Sequence, residues 1–270
     1  MRAERIEHER RLAEAARRKQ RLGRLTGIVI SAAVLLVAAI VISNSHSTSD
    51  VVKPGTPAAR ADDARVDSLL AGITESGDNT LGAPNTPVTV TEFGDLECSA
   101  CDDFALAPTA STSDGVSGSG VEDQLISSYV RTGKARLIYR SLDTATKAGD
   151  EPSEFGVQQT AVLAAGLQQR AWYYIELFYN EQGQEGTGYV TESYLDGLAQ
   201  QVPGLNYSKW LAARKDSSLT AQVSSDAMAA SRLGLQDTPS IVVSGPKGRA
   251  TPIQGVPTWS QLQAAIRSVS

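Results

Sequence analysis

The chain has 270 residues, of which 41% are hydrophobic and 20% charged, a globular composition with room for one well-packed domain and additional segments. Its net charge of −5 is unevenly spread: residues 1–24 carry nine Lys/Arg against four Glu, a charge of +5 that leaves −10 on the remainder. An acidic body argues against nucleic acid as a partner, and a basic tail attached to it marks a segment with a different neighbour.

Residues 1–24 read as a charged helix, either a topology signal or a segment lying on anionic lipid. Next comes "LTGIVISAAVLLVAAIVI", residues 25–42, eighteen residues without a charge and close to the length a membrane-spanning helix needs. A buried globular helix would show a polar face, and this stretch has none. A cleaved signal peptide is the other reading. Its apolar core would be shorter, and the "SNSHSTSD" that follows is a poor cleavage site. The expectation is therefore a basic segment at 1–24 kept in the cytoplasm and an uncleaved transmembrane anchor at 25–43 in the lipid bilayer. The rest of the chain then lies outside the cytoplasm.

Residues 43–66 are rich in Ser, Thr, Asp, Ala and Pro and read as a linker with too little apolar content to pack. "DSLLAGI" reads as a short helix or strand at the domain edge, so that 44–79 is linker and edge and 80–270 is the folded domain. "GAPNTP", residues 82–87, is a turn. "VTVTEF", residues 88–93, alternates β-branched and polar residues as a strand does. The two cysteines of the chain follow, and "CDDFALAPTA" begins a helix. Residues 111–120 read as a flexible loop of small residues. A helix ("VEDQLISSYVRTG") and a strand ("KARLIYRSL") come next. Residues 155–180 are a strong helical run, one helix or two, whose aromatics Trp172, Tyr173, Tyr174, Phe178 and Tyr179 read as core. "GQEGTG" breaks it. Helices are expected at 191–201, 208–214 and 217–233, then a strand in "DTPSIVVSG" and a closing helix in "WSQLQAAIRSVS". This order implies an α/β domain with a helical insertion at about 150–234.

The cysteines, Cys98 and Cys101, are two residues apart in "EFGDLECSACDDF". A structural zinc site needs four ligands. The only histidines, His8 and His46, lie in the basic tail and the linker, so no metal is expected. An inert pair or a fixed disulfide is a second reading, but a bridge closing so small a loop stabilises little. A redox pair is the third. Placed where a strand gives way to a helix, Cys98 gains thiolate character from the helix start and attacks, while Cys101, one turn on, resolves the mixed disulfide.

"VTVTEFGDLECSAC" resembles the first strand and active site of the DsbA-like branch of the thioredoxin superfamily. The family carries a buried acid six residues before the first cysteine, and Glu92 stands there. It also carries a cis-proline before a later strand. "DTPSIVV" matches with Thr238 and Pro239. The resemblance covers roughly residues 80–270. It implies a thioredoxin-like fold with a helical insertion domain and an extracytoplasmic protein thiol–disulfide oxidoreductase. In it Cys98 and Cys101 react, Glu92 moves protons, and Thr238 and Pro239 hold the substrate backbone. It further implies exported cysteine-containing proteins as substrates, a membrane redox partner that resets the pair, and no cofactor. Ser99–Ala100 lacks the histidine of the strongest oxidants, so a milder couple is expected. The Gly/Ser-rich 111–120 stretch interrupts what the family keeps as one helix. A reductase or isomerase of the same fold, and a non-catalytic binding module, are the alternatives.

Overall fold

The computed structural model describes residues 53–112, 115–145 and 153–270. The basic segment 1–24 and the expected anchor 25–43 lie outside the described residues. Among those that are described, no helix is long and apolar enough to cross a membrane.

Alternation builds the centre of the sheet. β3 (Val88–Gly94) buries Val88 and Val90 and leaves Thr89 and Thr91 half-buried. β4 (Ala135–Ser141) alternates buried and half-buried residues along its whole length. β5 (Ser240–Gly245) has a buried core, Ser240 to Val243, as expected of an interior strand covered on both faces. β3 lies between the other two, parallel to β4 and antiparallel to β5. A hairpin of β1 (Glu75–Ser76) and β2 (Thr80–Leu81) extends the β4 side, while β6 (Gly248–Arg249) and β7 (Ile253–Gln254) pair with β5.

The crossover from β3 to β4 contains α2 (Ser99–Ala105) and α3 (Val121–Leu125), which runs on as a π-helical turn over Ile126–Val130. Among the described residues, five helices lie between β4 and β5: α4 (Ser153–Gly166), α5 (Ala171–Asn180), α6 (Glu192–Gln201), α7 (Tyr207–Ala213) and α8 (Ser217–Leu233). The 155–180 run is thus two helices. In α5 every residue from Ala171 to Tyr179 is buried, which explains its unbroken aromatic sequence. The Trp210 indole stacks on Tyr174 with ring centroids 6.0 Å apart and donates to the Ala161 carbonyl at 2.8 Å, joining α7 to α4 and α5. α9 (Trp259–Val269) opens with a Thr258/Gln261 capping box and buries Leu262, Ile266 and Val269.

Two local expectations change. Residues 57–66, read as linker, begin a helix, α1 (Pro57–Leu70). Thr56 caps it, Pro57 suits its first turn, and Ala59, Asp62, Val66 and Leu70 form a buried stripe at three- to four-residue spacing. Half of that stripe is Ala and Asp, so composition hides it. Tyr173 of α5 donates to Asp67 at 3.0 Å and fixes the contact. The stretch read as a flexible loop is tied down in its described parts. The amides of Ser119 and Gly120 bond to the carbonyls of Asp103 and Leu106 at 2.8 and 2.9 Å, and Ser111 bridges Ser117.

Candidate active site

β3 ends at Gly94, and the chain turns through Asp95–Glu97 into Cys98, which occupies the N-cap of α2 with extended backbone angles. Asp95 organises the turn. Its carboxylate accepts from the Glu97 amide at 3.2 Å and from the amides of Thr144 and Ala145, both at 2.9 Å, and so ties the turn to the segment after β4. From the other side, β5 is registered so that Ile241 faces Glu92 and Ser240 faces Phe93. That register delivers the preceding residues, Thr238 and Pro239, to the end of β3. The Thr238–Pro239 peptide is cis, and the Cys98 thiol donates to the Thr238 carbonyl at 3.6 Å. The Thr238 hydroxyl pairs with that of Thr144.

Both cysteines are free thiols, Cys98 8% exposed and Cys101 fully buried. Their proton affinities are pulled apart. The Cys101 thiol, hydrogen-bonded to the Cys98 sulfur, lowers Cys98 from 9.0 to about 7 against the cost of burial, helped by the Thr238 side chain and by the amides of Cys101 and Ala100. Burial above all, then that same hydrogen bond and the Cys98 charge, push Cys101 far above an ordinary thiol. One sulfur is therefore a ready thiolate and the other a held proton.

Glu92 lies fully buried beneath the pair. Burial raises its carboxyl from 4.5 to about 8, opposed by hydrogen bonds from Tyr179 and Glu122, and the Cys98 charge adds to the rise. The Tyr179 hydroxyl stands 3.4 Å from its Oε1. Two further buried glutamates, Glu122 on α3 and Glu176 on α5, couple electrostatically to it, and burial drives both well above the normal carboxylate range. Burial thus shifts all three carboxyls toward the protonated form, and of them Glu92 acts electrostatically on Cys101.

All five residues singled out from sequence, Glu92, Cys98, Cys101, Thr238 and Pro239, converge here. Glu122, Glu176, Asp95 and Tyr179 were missed as site residues. Glu176 left a signal, as a lone carboxylate inside the apolar run "AWYYIELFYN". The others left none, since nothing in a single sequence marks which helical glutamate turns inward. Among the described residues no cluster of three or more His, Cys, Asp or Glu is arranged to hold a metal ion.

Residues 74–268 match the family model described as Thioredoxin, so the chain belongs to the thioredoxin family. A protein described as probable disulfide bond formation protein D, from Bacillus anthracis, is 24% identical over 221 residues, 81% of this chain and 86% of that one. The fold is shared with oxidised BdbD from Bacillus subtilis (TM-score 0.57, 18% identity, 72% of this chain and 97% of that one). It is also shared with DsbA from Chlamydia trachomatis (TM-score 0.54, 20% identity, 70% of this chain and 90% of that one). Within its family the chain is a DsbA-like thiol–disulfide oxidoreductase.

Proposed function

We propose that the chain is a disulfide donor working outside the cytoplasm on exported proteins, through Cys98 and Cys101. The observation that carries this reading is the divided pair: a Cys98 thiol lowered to about 7 beside a buried, proton-holding Cys101. Such a pair is suited to thiol–disulfide exchange, and the donor direction is supported by relatives described as probable disulfide bond formation proteins. In the forward step a substrate thiolate attacks the Cys98 sulfur of the Cys98–Cys101 disulfide, and Cys101 leaves. Glu92 gives that leaving sulfur its proton. A second substrate thiolate then attacks its own mixed-disulfide sulfur and expels Cys98 as thiolate. The substrate loses two electrons and the protein gains them. The Thr238 carbonyl beside Cys98 pairs with the extended backbone of the substrate, with Pro239 placing it.

A membrane partner must then remove the two electrons, since the chain has no third cysteine to relay them. The uncharged stretch 25–42, with nine basic residues before it, supports an anchor that keeps the domain at the membrane face. The test is the redox state of the pair in intact cells, by acid trapping and alkylation, together with a C101A variant. A donor is mostly oxidised, and C101A accumulates mixed disulfides with exported proteins. A mostly reduced pair assigns the reductase direction. Full rescue of a deletion phenotype by C98S excludes catalysis altogether.

A further inference from the structure

The segment that follows α5, residues 182–186, is fastened to the turn that carries Cys98. Gln182 donates to the Leu96 carbonyl at 2.6 Å and to the Cys98 carbonyl at 3.4 Å. The Gly186 amide donates to Glu97 at 3.3 Å. Between them the half-buried Glu185 accepts from both the backbone amide and the hydroxyl of Ser99, at 3.0 and 3.1 Å, through one carboxylate oxygen. A residue 86 positions away in sequence thus takes up the first amide after the reactive cysteine.

We propose that Glu185 is a positioning residue that restrains Cys98: by engaging the Ser99 amide and placing a carboxylate one residue from the sulfur, it disfavours the thiolate and makes the pair a milder oxidant. This rests on the redox reading above. Thiolates are stabilised by nearby N–H groups and destabilised by nearby anions. The amides of Ala100 and Cys101 assist the Cys98 thiolate, whereas that of Ser99 is turned to Glu185. Cys101 on α2 and Glu92 on β3 also face Cys98, and the neighbouring Glu97 is bonded to Gly186. None of these groups need change for Glu185 to act. A purely structural cap would lose stability on substitution but would leave the titration of Cys98 where it was.

The experiment compares the full chain in mild detergent with E185Q, which keeps the accepting oxygen and removes the charge, and E185K, which reverses it. Cys98 is titrated by thiolate absorbance, and each protein is equilibrated with glutathione at pH 7. In E185Q the Cys98 titration should fall by roughly half a unit to one unit, and further in E185K. The equilibrium should shift about two- to fivefold toward the reduced protein. E185Q and E185K both titrating with the wild type would overturn the inference while leaving the oxidoreductase intact. A wild-type pair that fails to equilibrate with glutathione would overturn the redox reading itself.

Discussion

At the scale of residues, the site is a set of proton affinities arranged by burial. With its thiol lowered to about 7, Cys98 should react with iodoacetamide at a rate that is half-maximal near pH 7, while the buried Cys101 stays unmodified in the folded dithiol. A half-maximal rate at the ordinary cysteine value, about 8.5, would remove the basis of the divided pair. Glu92 gives a stability signature. Its folded value of about 8 exceeds the ordinary 4.5, so its contribution is present at low pH and is lost as pH rises toward 8. Glu122 and Glu176 act in the same direction. The reduced protein should therefore melt at a lower temperature at pH 7 than at pH 5, since Cys98, half ionised at pH 7, opposes the trend only at the upper end of that window. E92Q, which mimics the neutral carboxyl, should flatten that slope. An unchanged slope in E92Q would mean that Glu92 is ionised in the fold.

At the scale of elements, the connection after α2 is held by backbone contact. A Cβ on Gly118 would stand 2.2 Å from the Leu106 carbonyl oxygen, and the backbone there has little freedom to move. G118A should cost about 1–3 kcal/mol, read from denaturant midpoints, because the loop must lift off α2. A neutral outcome would show that the loop is not fastened as described. Much of the element pattern was legible. The strand alternation in "VTVTEF" and "ARLIYRS", the helices over 191–201 and 217–233, and the closing helix all carry their own periodicity. The misses have a common physical cause. α1 buries Ala59 and Asp62 as well as Val66 and Leu70, so its inward face looks polar in composition. β1 and β2 are two residues each, too short to display a period. Cys98, Cys101, Glu92, Thr238 and Pro239 could be found because motif spacing fixes them. Glu122 and Glu185 could not, because their roles arise only when α3 and the segment after α5 fold back over β3 and α2.

At the scale of the whole molecule, the site draws on the length of the chain, with Cys98 and Thr238 140 residues apart meeting at one sulfur–oxygen contact. The strand that delivers Thr238 pairs with β3 only after β4 and the helices α2 to α8 have intervened in the chain, so no local hairpin can supply it early. This has a consequence for a chain synthesised from its N-terminus and, as proposed above, exported. Both cysteines emerge more than a hundred residues before the segment that tames them. During that interval they are ordinary thiols, open to pairing with any other emerging chain. A chain stopped after Leu233 should show a Cys98 that alkylates like a free cysteine, half-maximal near pH 8.5, and a Cys101 that is no longer shielded. The full chain should keep the two thiols distinct. The two thiols therefore take on their distinct characters only when the last central strand arrives, and until then the chain resembles the unfolded thiol proteins it is proposed to oxidise.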